Sequence, residues 1–150
     1  MPDFNVDRIR IIIGEINAAL TKLEEIKKLS KEEFLEYPEK IDAAKYNLIV
    51  VMEGAIDICN HLAVRAGGHA PKSYADCFSI LEELKILSPG LSTQLKLMAK
   101  FRNLLVHRYW KIDNHRVYDI IRQDISSINE YIRTVDDYIQ QGREPGNEEG

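Results

Sequence analysis

The sequence predicts an all-α fold: an antiparallel four-helix bundle with one or two extra short helices. Three observations carry that expectation. Apolar residues recur at alternating steps of three and four almost throughout the 150 residues. No stretch of six residues alternates in polarity as a half-buried strand would. The interruptions are short, and proline, glycine or a capping serine marks most of them. Self-similarity at a period of roughly 20–50 residues is missing, which argues against a solenoid.

Val6, Ile9, Ile13, Ile16, Leu20 and Leu23 draw the apolar seam of a first long helix. Ser30, with Glu33 three residues on, has the spacing of a capping box and opens a short helix that Pro38 should end. Ile41, Ala44, Leu48, Val51, Ala55, Ile58 and Leu62 continue the alternation along a second long helix, stopped by Gly67 and Gly68. A shorter helix over 73–87 carries Phe78, Leu81 and Leu84. Ser88, Pro89 and Gly90 then break and restart the chain, since proline suits a first helical turn. The next helix runs through Leu91, Leu95, Met98 and Leu105 to about residue 109. A polar turn over 111–116 leads into a last helix with the seam Ile121, Ile125, Ile128, Ile132, Val135 and Ile139. Residues 1–140 are thus expected to form a single domain, and 141–150 a frayed acidic tail.

A content of 45% hydrophobic and 29% charged residues suits a globular chain able to bury its own core. Cys59 and Cys77 are too few for a disulfide framework and lie in apolar helical stretches, so buried thiols in a reducing cytosol are expected. No CxxC spacing suggests zinc, and Asp57 with His61 supplies only two ligands, so no metal site is expected. The N-terminus lacks the layout of a signal peptide. The longest unbroken apolar run, Leu48 to Met52, falls far short of the roughly 20 residues that span a bilayer. The expectation is a soluble, cytoplasmic protein without membrane contact.

A net charge of −4 argues at face value against a nucleic-acid partner. Divided by position, it says otherwise. Residues 96–122 hold seven basic side chains and two acidic ones, a local +5 that leaves −9 for the remainder. Phe101, Tyr109, Trp110 and Tyr118 are interleaved with these cations. Cations beside aromatics suit a polyphosphate that also offers bases to stack, as single-stranded RNA does. Lys100, Arg108, Lys111 and Arg116 are the candidate RNA-binding residues. The aromatics serve equally well as ordinary core or interface residues.

The pattern breaks at Arg102, which occupies a seam position that calls for a large apolar side chain. A buried charge needs an acidic partner, water or a subunit boundary. Arg102 and His107 lie about 140° apart on a straight helix, which is awkward for one compact site. Two copies of the helix meeting across a two-fold axis would put both pairs around one groove, and a homodimer follows from that geometry. Asn103 shares a face with His107. Glu53, Asp57 and His61 make a polar stripe on the second long helix; it is either a satisfied polar face or a place where Asp57 orients Arg102 or lines the groove.

The segment RNLLVHRYW contains R-x-x-x-x-H-x-Y with Asn directly after the Arg. It resembles the HEPN superfamily of small helical ribonucleases, most closely its HepT toxins, and the motif falls near the end of the penultimate long helix as in that family. The resemblance implies that Arg102 and His107 are the catalytic pair of an endoribonuclease, with Asn103 the polar residue beside the Arg. It also implies that Tyr109 is the modification site, to which a cognate minimal nucleotidyltransferase antitoxin of MntA type attaches AMP. ATP and Mg would be needed by that partner only, and RNA cleavage itself would take no cofactor. The implied protein is a homodimeric toxin acting on RNA, with tRNA the first candidate. The rival from another class is a non-catalytic helical bundle that presents substrate to a nucleotidyltransferase. An adaptor has no need of the Arg–His pair, and a plain dimerisation module leaves the seam arginine unexplained.

Overall fold

The computed structural model describes residues 4–141, and among them it is all helical. Of the tail expected at 141–150, Gln141 is the last residue of a helix, and 142–150 lie outside the described residues.

Helix α1 (Val6–Lys27) starts where the Asn5 side chain accepts the Arg8 amide. It buries Ile9, Ile12, Ile16, Leu20, Leu23 and Ile26. Ile12 therefore takes the place expected of Ile13, which is only half-buried. Helix α2 (Lys31–Glu36) carries the expected capping box: Ser30 Oγ accepts the Glu33 amide at 3.1 Å, and the Glu33 carboxylate accepts the Ser30 amide at 3.0 Å. That backbone hydrogen bond, followed by the hydroxyl bond, holds the Glu33 carboxyl below its ordinary range.

Pro38 begins helix α3 (Pro38–Gly67) rather than ending α2. The physical reason is that a first-turn proline lacks only an amide hydrogen the helix would leave unpaired, while Tyr37 before it is extended, as a pre-proline residue prefers. Gly68 closes α3 at φ +80°, a left-handed conformation that glycine adopts without steric cost. Helix α3 is the one helix among the described residues long and apolar enough to cross a bilayer. Its apolar face is instead turned inward, with Leu48, Val51, Met52, Ala55, Ile58 and Leu62 in the core.

Helix α4 (Tyr74–Glu83) is shorter than the expected 73–87, because Lys85 turns left-handed at φ +62°. Helix α5 (Pro89–His107) opens on Ser88, whose hydroxyl accepts the Leu91 amide. It stops two residues before the expected end, since Arg108 leaves helical geometry, and a 3-10 turn follows at Tyr109–Lys111. The turn expected over 111–116 is cut short by helix α6 (Asn114–Gln123), capped by Asp113. The last helix is broken at Asp124 into α6 and α7 (Ile125–Gln141). Asp124, Ser126 and Ser127 are weak helix formers, and the break lets α6 pack on α1, α2 and α3 while α7 packs on α5 and α1. Among the described residues, three short helices and a 3-10 turn thus accompany the four long helices, against the one or two expected.

Paired contacts fix the topology. Residue 5 meets 61 and residue 8 meets 57, so α1 and α3 run antiparallel. Arg102 meets Glu53 and Tyr109 meets Asp42, so α5 also opposes α3. Gly54 lets α1 and α3 pack closely, because a Cβ there would stand 2.6 Å from Ile16 Cγ1. The fully buried Tyr131 of α7 donates its hydroxyl to Ala55 O at 2.8 Å and pins the last long helix to α3.

Candidate active site

Met98, Phe101 and Leu105 hold α5 in the core and thereby deliver Arg102 to a junction of three helices. Its Nη2 is ion-paired with Glu53 Oε1 of α3. Its Nη1 donates to Asn103 Oδ1 at 2.8 Å and to the Tyr74 hydroxyl of α4 at 3.3 Å. The guanidinium also lies 5.3 Å from the Tyr74 ring centroid, within cation–π range. The side chain is 12% exposed, Glu53 49%, and the Arg102 Nε is buried without a partner among the described residues. Burial pulls the Arg102 pKa down from its ordinary value, but from so high a starting point that the charge persists. Asn103 thus holds the arginine through its side-chain oxygen.

His107 is the last residue of α5 and is exposed. Its side chain makes no hydrogen bond or ion pair among the described residues, with Arg102 or any other. The chain therefore holds Arg102 in place but leaves the imidazole open to solvent.

Two residues further on, Tyr109 is clamped against α3. Its hydroxyl donates to Asp42 Oδ1 at 3.0 Å, its carbonyl accepts from Lys45 Nζ at 2.9 Å, and Lys45 Nζ sits 4.6 Å from the ring centroid. Burial first, and the bond to Asp42 second, push the phenol up to about 12.

Asp57 does not orient Arg102. It pairs with Arg8 at 3.2 Å, and Glu53, one turn earlier, takes the arginine because it is Glu53 that faces α5. Asp57 does share with Glu53 and Tyr74 a groove of about 380 Å³. His61 is a satisfied structural residue: its Nε2 accepts the Asn5 amide at 3.0 Å, and Arg65 Nη1 lies 2.8 Å from Nδ1. Burial, then Arg65 and Arg8, lower its pKa against an opposing pull from Asp57. No set of three or more metal-ligating side chains is gathered among the described residues. Cys59 and Cys77 are buried thiols, as expected.

The basic residues do not line one groove. Lys100 joins Lys72, Lys96, Tyr74 and Asn103 around a cleft of about 670 Å³ between α4 and α5. Arg116 stacks 4.8 Å from the Phe101 ring centroid and lines a separate groove with Asp119 and Asp124. The two grooves flank Leu97 on opposite sides of α5. Arg108 and Lys111 are exposed in the turn after α5, beside Trp110 at 77% exposure. Sequence reasoning had given Tyr74, Asp42 and Lys45 no role and had placed Glu53 only in a polar stripe.

Comparison with known proteins adds the family context. A family model described as Ribonuclease HepT-like matches residues 16–135. The mRNA nuclease HepT of Shewanella oneidensis is 28% identical over 63% of this chain and 71% of its own length. The tRNA nuclease HepT of Aphanizomenon flos-aquae is 26% identical over 83% of this chain and 84% of its own. Among solved structures, the tri-AMPylated Shewanella oneidensis HEPN toxin, in complex with its MNT antitoxin, superposes with a TM-score of 0.78. That match is 23% identical and covers 85% of this chain and 96% of that one, so it bears on the fold alone.

Proposed function

The chain belongs to the HepT-like ribonuclease family, and from that premise we propose a toxin endoribonuclease whose site pairs Arg102 with His107 across a homodimer. The observation that carries this reading is the seam arginine, held by Glu53, Tyr74 and Asn103 on the helix that ends in an exposed histidine. Such restraint fixes a cation where a phosphate is to be gripped. The ribose 2′-hydroxyl attacks the adjacent phosphorus. One His107 takes its proton, while the symmetry-related His107 protonates the leaving 5′-oxygen. Arg102 stabilises the charge that builds on the phosphate oxygens, and cleavage leaves a 2′,3′-cyclic phosphate. Lys100 and its neighbouring lysines guide the strand along the cleft between α4 and α5, with Arg108 and Lys111 beyond His107.

The regulatory half rests on Tyr109. The structurally similar Shewanella toxin is AMPylated and bound to a nucleotidyltransferase-type antitoxin. By that likeness we read Tyr109 as the acceptor of AMP from a cognate nucleotidyltransferase, which brings its own ATP and Mg. An AMP ester adds about one negative charge and a bulky nucleoside beside the groove, and both exclude RNA.

The test is to express wild type and His107→Ala without the partner, purify them in EDTA and sequence RNA ends. New ends bearing cyclic phosphate from wild type alone are expected, and they show whether tRNA or mRNA is cut. Equal cleavage of an all-DNA oligonucleotide would overturn the 2′-hydroxyl mechanism.

A further inference from the structure

Tyr109 starts a 3-10 turn, yet three contacts with α3 hold it more firmly than its short turn requires. Lys45 is only 5% exposed, and the one hydrogen bond of its ammonium among the described residues is to the Tyr109 carbonyl. It fixes the backbone and one face of the ring. Asp42, three residues earlier and so on the same face of α3, holds the other end by its carboxylate. This phenol bond is exposed, so an incoming nucleotide can reach the hydroxyl.

Resting on the reading of Tyr109 as the nucleotidylated residue, we propose that Asp42 is the proton acceptor for that transfer, a catalytic group supplied by the modified protein itself. The phenolic oxygen attacks the α-phosphorus of ATP held by the partner enzyme. The new P–O bond forms as the bond from the α-phosphorus to the bridging oxygen breaks, and pyrophosphate leaves. The phenolic proton passes to Asp42 Oδ1 and then to solvent.

The chemistry requires such a group. A phenol raised to about 12 is almost wholly un-ionised near neutrality, so it must lose its proton as it attacks. A general base has to lie within about 2.6–3.2 Å of that proton's oxygen. Asp42 Oδ1 does so at 3.0 Å; the Asp42 carbonyl, at 3.4 Å, is the only other acceptor of the hydroxyl among the described residues and is scarcely basic. The charged groups nearest the ring are Asp42 and Lys45 on α3, with Arg108 and Lys111 flanking Tyr109 in the chain.

The experiment follows AMP incorporation by intact mass, using full-length chain, the partner nucleotidyltransferase, ATP and Mg. Wild type, Asp42→Asn, Asp42→Glu and Tyr109→Phe are compared from about pH 6 to 9, with thermal unfolding to show that each variant is folded. The Asn variant should transfer at least about a hundredfold more slowly, with a rate that climbs with pH as the phenolate fraction grows. The Glu variant, which keeps a carboxylate, should recover much of the rate. Asn at the wild-type rate and pH profile, with Tyr109 still modified, overturns the role of Asp42 and leaves the Tyr109 reading standing. A wild-type chain that takes no AMP, or a Tyr109→Phe chain that takes as much, overturns the Tyr109 reading and this proposal with it.

Discussion

Arg102 and His107 stand five residues apart on one helix in opposite surroundings. Arg102 is 12% exposed and held by Glu53, Tyr74 and Asn103, while His107 sits exposed at the helix end with no partner among the described residues. In our reading of the site, the difference separates what one subunit can build from what it cannot. A permanent cation needs fixing in place, and the monomer's own packing does that. A proton carrier needs access, and its final position depends on substrate and, in our reading, on the second subunit.

The largest expected effect comes from the open member. His107→Ala should lower RNA cleavage by about 10²–10⁴-fold, the usual range for a lost general acid or base, and leave stability within about 0.5 kcal/mol. Turnover assays beside thermal melts check this. A large fall in stability would mean the histidine carries packing that the structure does not show.

Arg102→Ala should touch both properties. Activity falls about 10²–10³-fold as the phosphate loses its fixed cation, and stability falls by roughly 1–2 kcal/mol as the bonds to Tyr74 and Asn103 go. Unchanged stability would dissolve the contrast between the two residues. Glu53→Gln should act more gently. In the proposed site Glu53 competes with the phosphate for Nη2, so neutralising it should lower KM a few-fold while the looser guanidinium lowers kcat about tenfold. Steady-state kinetics separate the two terms. The smallest effect on cleavage belongs to Tyr109→Phe, which keeps activity within about twofold yet escapes silencing by the partner enzyme. Growth on co-expression reads it directly.

Local physics explains which features were legible in the sequence. The long helices were, because their seams span several turns, and the starts of α2 and α5 were marked by Ser30 and Ser88, which cap as their side chains permit. Arg102 stood out because a charge on an apolar seam must find a partner. Which carboxylate it meets was not legible. Glu53 and Asp57 lie one turn apart on the same stripe, and only the packing of α5 on α3 selects Glu53. The stop of α5 at His107 was hidden for a similar reason, since Asp42 and Lys45, far off in the chain, hold Tyr109 in its turn. The break at Asp124 was masked because Ile121 and Ile125 keep a four-residue step across it.

Subunit mixing tests the central claim most directly. Wild-type and His107→Ala chains are combined in equal amounts at constant total protein, allowed to exchange, and assayed for RNA cleavage. If both histidines of a dimer serve one site, only all-wild-type dimers cut, and activity falls to about a quarter. Activity that settles at about half, in proportion to the wild-type chains present, would show that one histidine suffices for each site and would contradict the two-histidine mechanism.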